Sequence, residues 1–544
     1  MPQPVRHFRQ ILIWPLQVMP IREGSQIQEP WDILQNSQGE HSWRVLEDEF
    51  GCEPEDFQER HYSEFVTFLP YVRRFLYGEG ASRAGTVKGA ESPLRVFRRN
   101  DVAKVRMTFP ETGSEPVTFD VAHVDLYFLY DIDVVSLVIE ILADDLSLTT
   151  AQDAMYRFGR AYPTYWAEGG RGGHCVVLAE WLGAGGSVLA VSDFEEREKY
   201  LRYVGQRRAP RYANHWAYLL QPLVPDYSGE KGLIRYRQIE YARMPLMAYL
   251  AMDDARALTR ADFVRLGLVT GPGRSDVLPY SARYMRDFED RYCYDQFWNE
   301  ESSGRPGTRF MSCGHAFVVV GDANDPFFVD REAGLLAQFR HQYFILFLIP
   351  HIHKATLLML SDRMVSALNK LLIENPDSVR MFKRTIRQLL EIFLRFTHRY
   401  WFHEVSDQPP ARELYRMTST YLGTDPLYVE IRNEIEDMSQ YLETDTLRRQ
   451  ANTVVRLTVI TVFGLIGTVV TGIFGMNIFG FSEIPVPLQV MWLLGTIVAV
   501  TMLLFYTLSK SKALADFLDS VSDERLSNSA KVQALINVWR KKRR

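Results

Sequence analysis

The chain has 544 residues, 47% of them hydrophobic, and a formal net charge of −5. This length allows several domains rather than one. The small net charge excludes a protein built mainly to coat nucleic acid, so no nucleic-acid partner is expected. The four cysteines, Cys52, Cys175, Cys293 and Cys313, form no C-x-x-C pair and match no zinc framework. Such sparse cysteines suit a reducing compartment.

Residues 1–22 carry Arg6, Arg9 and Arg22 and no acid, as transit peptides do, but they lack serine and hold four prolines. The segment is read as a cytosolic N-terminus. Residues 1–115 are expected to form an N-terminal cytosolic extension, broken by the Gly/Ser-rich stretch Gly78–Ser92.

Residues 116–350 are expected to form a cytosolic α/β domain. Residues 116–148 are rich in β-branched and aromatic residues and read as strands, and Thr149–Phe158 reads as a helix capped by Thr149 or Thr150. His315–Val320 and then Phe327–Val329 form a second strand cluster. The apolar run Phe344–Ile349 stops at Pro350, is too short to span a bilayer and reads as a buried strand. Strands alternating with helical segments imply a sheet domain with helices packed on it.

Several motifs in this region carry no chemistry on inspection. Gly169–His174 and Gly183–Ser187 are glycine-rich but match neither a P-loop nor a dinucleotide fingerprint, and read as loops. His174-Cys175 and Cys313-Gly314-His315 offer a nucleophile beside a base but no third member. His351 and His353 offer a soft-metal pair, set against surface or helix-start histidines. With no coherent catalytic set, no enzyme and no cofactor is expected.

Residues 351–453 are expected to be a helical and stalk region. Residues 355–374 and 377–404 have helical periodicity, interrupted at Asn375-Pro376, with later breaks at Gln408–Pro410 and Gly423–Pro426. Pro426 then starts a helix, with Asp425 as its cap. Tyr428, Ile431, Ile435, Met438 and Leu442 form a heptad seam, which ordinary helix packing explains equally well. One helix from Leu427 to Phe474 would be roughly 70 Å long. Glu434, Glu436, Asp437, Glu443 and Asp445 cluster on it, either as a solvated face or as a cytosolic cation sensor.

No charged residue lies between Arg456 and Glu483, nor between Glu483 and Lys510. Each gap holds the roughly 20 apolar residues that a bilayer core requires. Residues 454–477 are read as a first transmembrane helix with its core at Leu457–Phe474, 478–487 as an outer loop with Glu483 as its acid, and 488–509 as a second span with its core at Leu488–Leu508. Arg448, Arg449 and Arg456 precede the first span, and Lys510 and Lys512 follow the second. The positive-inside rule places both termini in the cytosol. Residues 510–544 form a cytosolic tail ending in Arg540-Lys541-Lys542-Arg543-Arg544. Two helices cannot enclose an aqueous path, so a pore from this unit requires several copies.

Gly475-Met476-Asn477 stands at the outer end of the first span, ahead of a short loop and a final span. In motif, position and topology the chain resembles the CorA magnesium-transporter superfamily, closely over residues 426–512 and in general plan over residues 116–512. The resemblance implies a funnel-shaped homopentamer in the plasma membrane, most simply a bacterial inner membrane. Its first spans would line the pathway, and an α/β cytosolic domain would feed the stalk. It implies a selectivity filter at Gly475, Met476 and Asn477, with Asn477 as the ring that meets the metal ion.

Thr468, Leu465, Thr461, Leu457 and Val454, reached from Asn477 in helical steps, are the pore-lining candidates. Mg²⁺ is the expected cargo, with Zn²⁺, Co²⁺ and Ni²⁺ as other transported or regulatory ions. The alternatives are zinc transport, as in the ZntB branch, and a membrane-anchored sensor or effector on the same scaffold without transport. Phe474 stands where the family has a tyrosine, and the outer loop has few acids.

Overall fold

The computed structural model describes residues 4–19, 30–36, 41–46, 59–78, 92–110, 115–129, 132–229, 232, 234–239, 242–299, 307–372, 375–476, 485–488, 490–492, 494–496, 498–499, 501–502 and 506. Cys52, Asn477, Glu483 and the basic tail lie outside the described residues. The chain divides into two units, Met1–Asn433 and Glu434–Arg544.

The strands are β1 (Pro4–Met19), β2 (Trp43–Val45), β3 (Leu94–Arg99), β4 (Lys104–Thr108), β5 (Val117–Leu129), β6 (Val134–Ser147) and β7 (Leu178–Leu182). They continue with β8 (Val188–Val191), β9 (Val224–Pro225), β10 (Arg235–Gln238), β11 (Leu246–Met252), β12 (Cys293–Tyr294), β13 (Arg309–Ser312) and β14 (Ala316–Asp322). The helices are α1 (Pro30–Asn36), α2 (Glu59–Thr67), α3 (Pro70–Tyr77), α4 (Leu148–Arg157), α5 (Arg197–Arg207), α6 (Asn214–Leu220) and α7 (Arg260–Leu268). After them come α8 (Phe288–Tyr292), α9 (Pro326–Val329), α10 (Leu335–Arg340), α11 (Gln342–Asn369), α12 (Pro376–Arg399), α13 (Pro409–Leu422) and α14 (Thr424–Gly475).

One mixed sheet organises the first unit, in the order β12-β13-β14-β11-β1-β6-β5-β4-β7-β8. Most neighbours are antiparallel, while β11 runs parallel to β14. Strand β1 lies in the middle and is buried over most of its length. It pairs with β6 along one edge, and with β11 up to Leu12 and then β10 from Leu16 along the other. Pro15 falls in the gap between those two partners, where a residue without an N–H costs no ladder bond.

The expected border at residue 115 is therefore not a border in the structure. A nearly continuous apolar run such as Ile11–Leu16 belongs to a strand covered on both faces, and only distant segments (residues 134–147 and 235–252) supply its neighbours.

Three local expectations are also corrected. Phe344–Ile349 is helical, not a strand, because α11 continues through Pro350 to Asn369. Within this helix His351 Nδ1 donates to the Phe347 carbonyl at 2.7 Å and Thr356 donates to that of Ile352 at 2.8 Å. By length and composition Leu335–Asn369 is the one helical stretch among the described residues that could cross a membrane, yet 83% of its apolar window is buried inside the fold. It is the core helix of the first unit. Phe327–Val329 belongs to the short helix α9, capped by Asp325 and started by Pro326. The cap of α4 is Ser147, whose hydroxyl accepts from the Thr150 amide, two residues before the first of the expected threonines.

A buried ion network joins the sheet to α10. Glu140, on β6 and fully buried, accepts from Arg9 at 2.7 Å and Arg340 at 3.0 Å and sits 2.9 Å from His123 Nε2. Asp125, two residues after His123 on the same face of β5, receives both ends of the Arg98 guanidinium at 2.8 Å. Burial would push the His123 pKa down, but Asp125 and Glu140 outweigh it and hold it at about 9. Burial would likewise raise Glu140, and His123, Arg340 and Arg9 instead hold it well below the ordinary carboxylate range.

Candidate functional site

The candidate site is carried by α14, and the helices before it explain where it starts. Asn375 caps α12 by accepting from the Asp377 amide at 2.9 Å, with Pro376 at the first position. Pro409 and Pro410 open α13. Gly423 ends it in the left-handed region at φ 67°, where a side chain would be strained, and its amide donates to Ser419 and Thr420. The next residue, Thr424, begins α14, so the helix starts ahead of the expected Asp425 cap and Pro426. It then runs unbroken for 52 residues. At the α-helical rise this is about 78 Å.

An aromatic cluster fixes the start of α14. Tyr428 stacks on Trp401 at 4.4 Å and on Phe393 at 5.7 Å. His353 lies 4.7 Å from Trp401 and its Nε2 bonds the Tyr400 carbonyl at 2.5 Å. Ile431 and Ile435 are buried and Met438 is half-buried. The expected seam is therefore at Tyr428 a packing surface against the chain's own α12 and the loop after it. Leu442 lies, as a side chain, outside the described residues.

Beyond Tyr441 the described side chains of α14 are mostly bare. Val454, Leu457 and Leu465 are each more than 60% exposed, and in the helical residues after 485 so are Met491 and Met502. Thr453–Val462 and Val486–Thr496 are apolar helical segments that lie where the two spans are expected. This is the physical difference from α11, whose equally apolar surface is covered by the fold.

The five pore-lining candidates share one face. At about 100° per residue, Val454, Leu457, Thr461, Leu465 and Thr468 fall within an arc of about 80°. Thr461 and Thr468 donate to the carbonyls of Leu457 and Gly464, both at 2.9 Å. Helical steps do not extend this face to position 477, because nine residues from Thr468 make about two and a half turns. Helix α14 ends at Gly475 and Met476 is a turn, so only a departure from the helix after Gly475 could return position 477 to the stripe.

The other candidates separate. Glu434, Glu436 and Asp437 are exposed on α14, while Glu443 and Asp445 lie, as side chains, outside the described residues. Among the described residues no group of three His, Cys, Asp or Glu side chains is placed to hold a metal. His351 and His353 are buried in mid-helix, each on a different backbone carbonyl, and burial pushes both down to about 3. They are neither a metal pair nor surface residues.

Cys313 and His315 do meet, at 3.4 Å, but burial pushes the thiol up to about 11 and the imidazole down to about 3. The pair is a thiol and a neutral imidazole, without the thiolate that a nucleophile needs. His174 bonds Tyr156 Oη at 2.6 Å, and burial raises Cys175 to about 12. The buried network around Glu140 escaped the sequence reading. Its one local signal is His123 and Asp125, spaced by two on a strand.

No curated protein and no solved structure matches the chain. Residues 363–510 match the family model described as CorA-like Mg2+ transporter protein, which supports a CorA-like domain over that segment.

Proposed function

We propose that the chain moves divalent metal cations across a membrane as a homo-oligomer, with Mg²⁺ as the principal ion. The observation that carries this reading is the bare apolar surface of the described side chains between 454 and 502 in a single chain, within the segment that matches the CorA-like model. Exposed apolar surface of this extent is not stable in water. Lipid and neighbouring copies of the same helix are the occupants that suit it.

In this reading α14 continues from its aromatic anchor at Tyr428 into the bilayer, and the 454–468 stripe faces the pathway. Asn477 offers amide oxygens at its outer end. Mg²⁺ loses its water reluctantly, and neutral carbonyl dipoles accept hydrogen bonds from that water without stripping it. A mixed lining of threonine hydroxyls and leucines passes a hydrated ion and narrows at Leu457 and Leu465. The acids at Glu434, Glu436 and Asp437 bind a regulatory cation only between copies, since one chain does not bring them together.

Purified protein in liposomes loaded with a Mg²⁺-sensitive dye tests this, with Asn477→Ala as the comparison. Influx that Asn477→Ala changes supports the pathway. Parallel dyes for Zn²⁺, Co²⁺ and Ni²⁺ rank the ions, and a Zn²⁺ preference would replace Mg²⁺ with the zinc reading. No flux of any ion, from folded oligomeric protein with internal divalents chelated, would sink transport and leave the sensor reading.

A further inference from the structure

An open cleft of about 730 Å³ lies in the first unit, lined by Arg243, Tyr280, Tyr284, Cys313, His315 and Tyr421 among others. Its size is that of a small-molecule site. The strand-joining turn Cys313-Gly314-His315, the segment around Tyr280–Tyr292 and the end of α13 build most of it, with Arg243 and Leu268 completing the lining. Gly314 has φ +87°, and a Cβ there would stand 3.0 Å from the Tyr421 backbone, so the turn presses directly on α13.

The inner end of the cleft has cationic and donor groups in excess. Arg243 donates from Nη2 to the Val269 carbonyl at 2.6 Å, while its Nε is buried without a partner. Arg160 sits opposite it in an isolated bridge, and both guanidinium groups lie over the Tyr156 ring, at 5.1 and 5.9 Å. Among the described residues no hydrogen bond or ion pair joins either arginine to a carboxylate, and the charged group that bears most on Arg243 is Arg160, itself a cation. Nε2 of His315 is buried and unpartnered as well. Buried cations are ordinarily paired, and arginine is suited to phosphate and carboxylate.

The outer end is aromatic. Tyr280 and Tyr284 meet edge to face at 5.8 Å and remain 47% and 58% exposed, and Tyr292 leans on Tyr421 at 5.0 Å. Exposed tyrosines around a cleft offer flat faces to a planar ring. We propose that this cleft binds a mononucleotide-like anion, with its phosphate at Arg243 and His315 and its planar base on Tyr280 and Tyr284. Occupancy bears on Tyr421, two residues ahead of the Gly423 cap that hands the chain to α14.

The test is calorimetry on the full-length chain in detergent with AMP, GMP, CMP and UMP, and with adenosine and inorganic phosphate as the two halves. It reads binding, not flux, so it stands or falls apart from the transport reading. AMP should bind at least tenfold more tightly than adenosine or phosphate, because it alone meets both ends of the cleft. Tyr284→Ala, at an exposed side chain, should weaken AMP about tenfold or more with no change in melting temperature. Arg243→Gln should bring AMP down to the affinity of adenosine. Hydrogen exchange should show AMP protecting residues 313–315 and 418–424.

The proposal is overturned if no mononucleotide binds the folded wild type at millimolar concentration, or if AMP and adenosine bind alike. It is equally overturned if Tyr284→Ala leaves the affinity unchanged, or if protection appears elsewhere.

Discussion

Replacing Glu140 by glutamine tests the ion network that holds α10 to the sheet. The carboxylate has three cationic neighbours, Arg9 at 2.7 Å, His123 at 2.9 Å and Arg340 at 3.0 Å, and no exposed surface. The amide keeps the shape and removes the charge, and Asp125 is already taken bidentately by Arg98. Removing one partner from a buried ion pair costs about 3–5 kcal/mol. The first unit, Met1–Asn433, has a melting entropy of about 0.9 kcal/mol/K on per-residue averages, so the loss lowers Tm by roughly 4 °C.

The pH dependence adds an independent signature. His123 is raised to about 9 from an ordinary 6.5. Its contribution, about 3 kcal/mol, is complete below pH ~6.5 and is lost as pH rises through ~9. Wild-type Tm should therefore fall between pH 6 and 9.5, and Glu140→Gln should flatten that fall as well as lower Tm at pH 6. Tryptophan fluorescence melts of the full-length chain in detergent measure both. A variant that melts within 1 °C of wild type at pH 6, or a wild type with the same Tm at both pH values, refutes the reasoning.

Tyr428→Ala removes the ring between Trp401 and Phe393 and should cost about 2–3 kcal/mol, seen as a lower Tm and faster proteolysis at the α13–α14 junction. Gly423 and Gly314 both have positive φ, but a Cβ meets nothing near Gly423 and the Tyr421 backbone at 3.0 Å near Gly314. Gly423→Ala should cost about 1 kcal/mol and Gly314→Ala clearly more, so equal Tm shifts would contradict the close packing. His315, His351 and His353 are each pushed down to about 3 by burial, so their contribution is present above pH ~6.5 and lost as pH falls toward 3. Melts from pH 7 to pH 5 should show falling Tm, and a flat profile there would mean that these rings are not held neutral.

Helix breaks were legible because they are local chemistry. Asn375-Pro376, Pro409-Pro410 and Gly423 each stop or start a helix through groups within a few residues, and the structure places breaks at all three. The start of α14 moved only from Leu427 to Thr424. The misread run Phe344–Ile349 shows the limit of such signals. A proline ends a helix only where the freed groups find no other support, and here the buried surroundings of Pro350 carry the helix past it.

By itself the amino-acid sequence determined the charge-free gaps around 457–474 and 488–508, the Gly475-Met476-Asn477 motif, the long helix leading to it and the strands at 117–147. Each rests on composition or period within one segment. Only the tertiary structure decided that β1 is a central strand and not an extension, since its neighbours lie 117 to 247 positions downstream. It alone separated the covered apolar helix α11 from the bare apolar stretch of α14, because burial is a property of what surrounds a helix. It alone brought Arg9, His123, Glu140 and Arg340 together, and joined Arg243 to a ring of tyrosines. Charges far apart in sequence meet through the fold, and no period along the chain records that meeting.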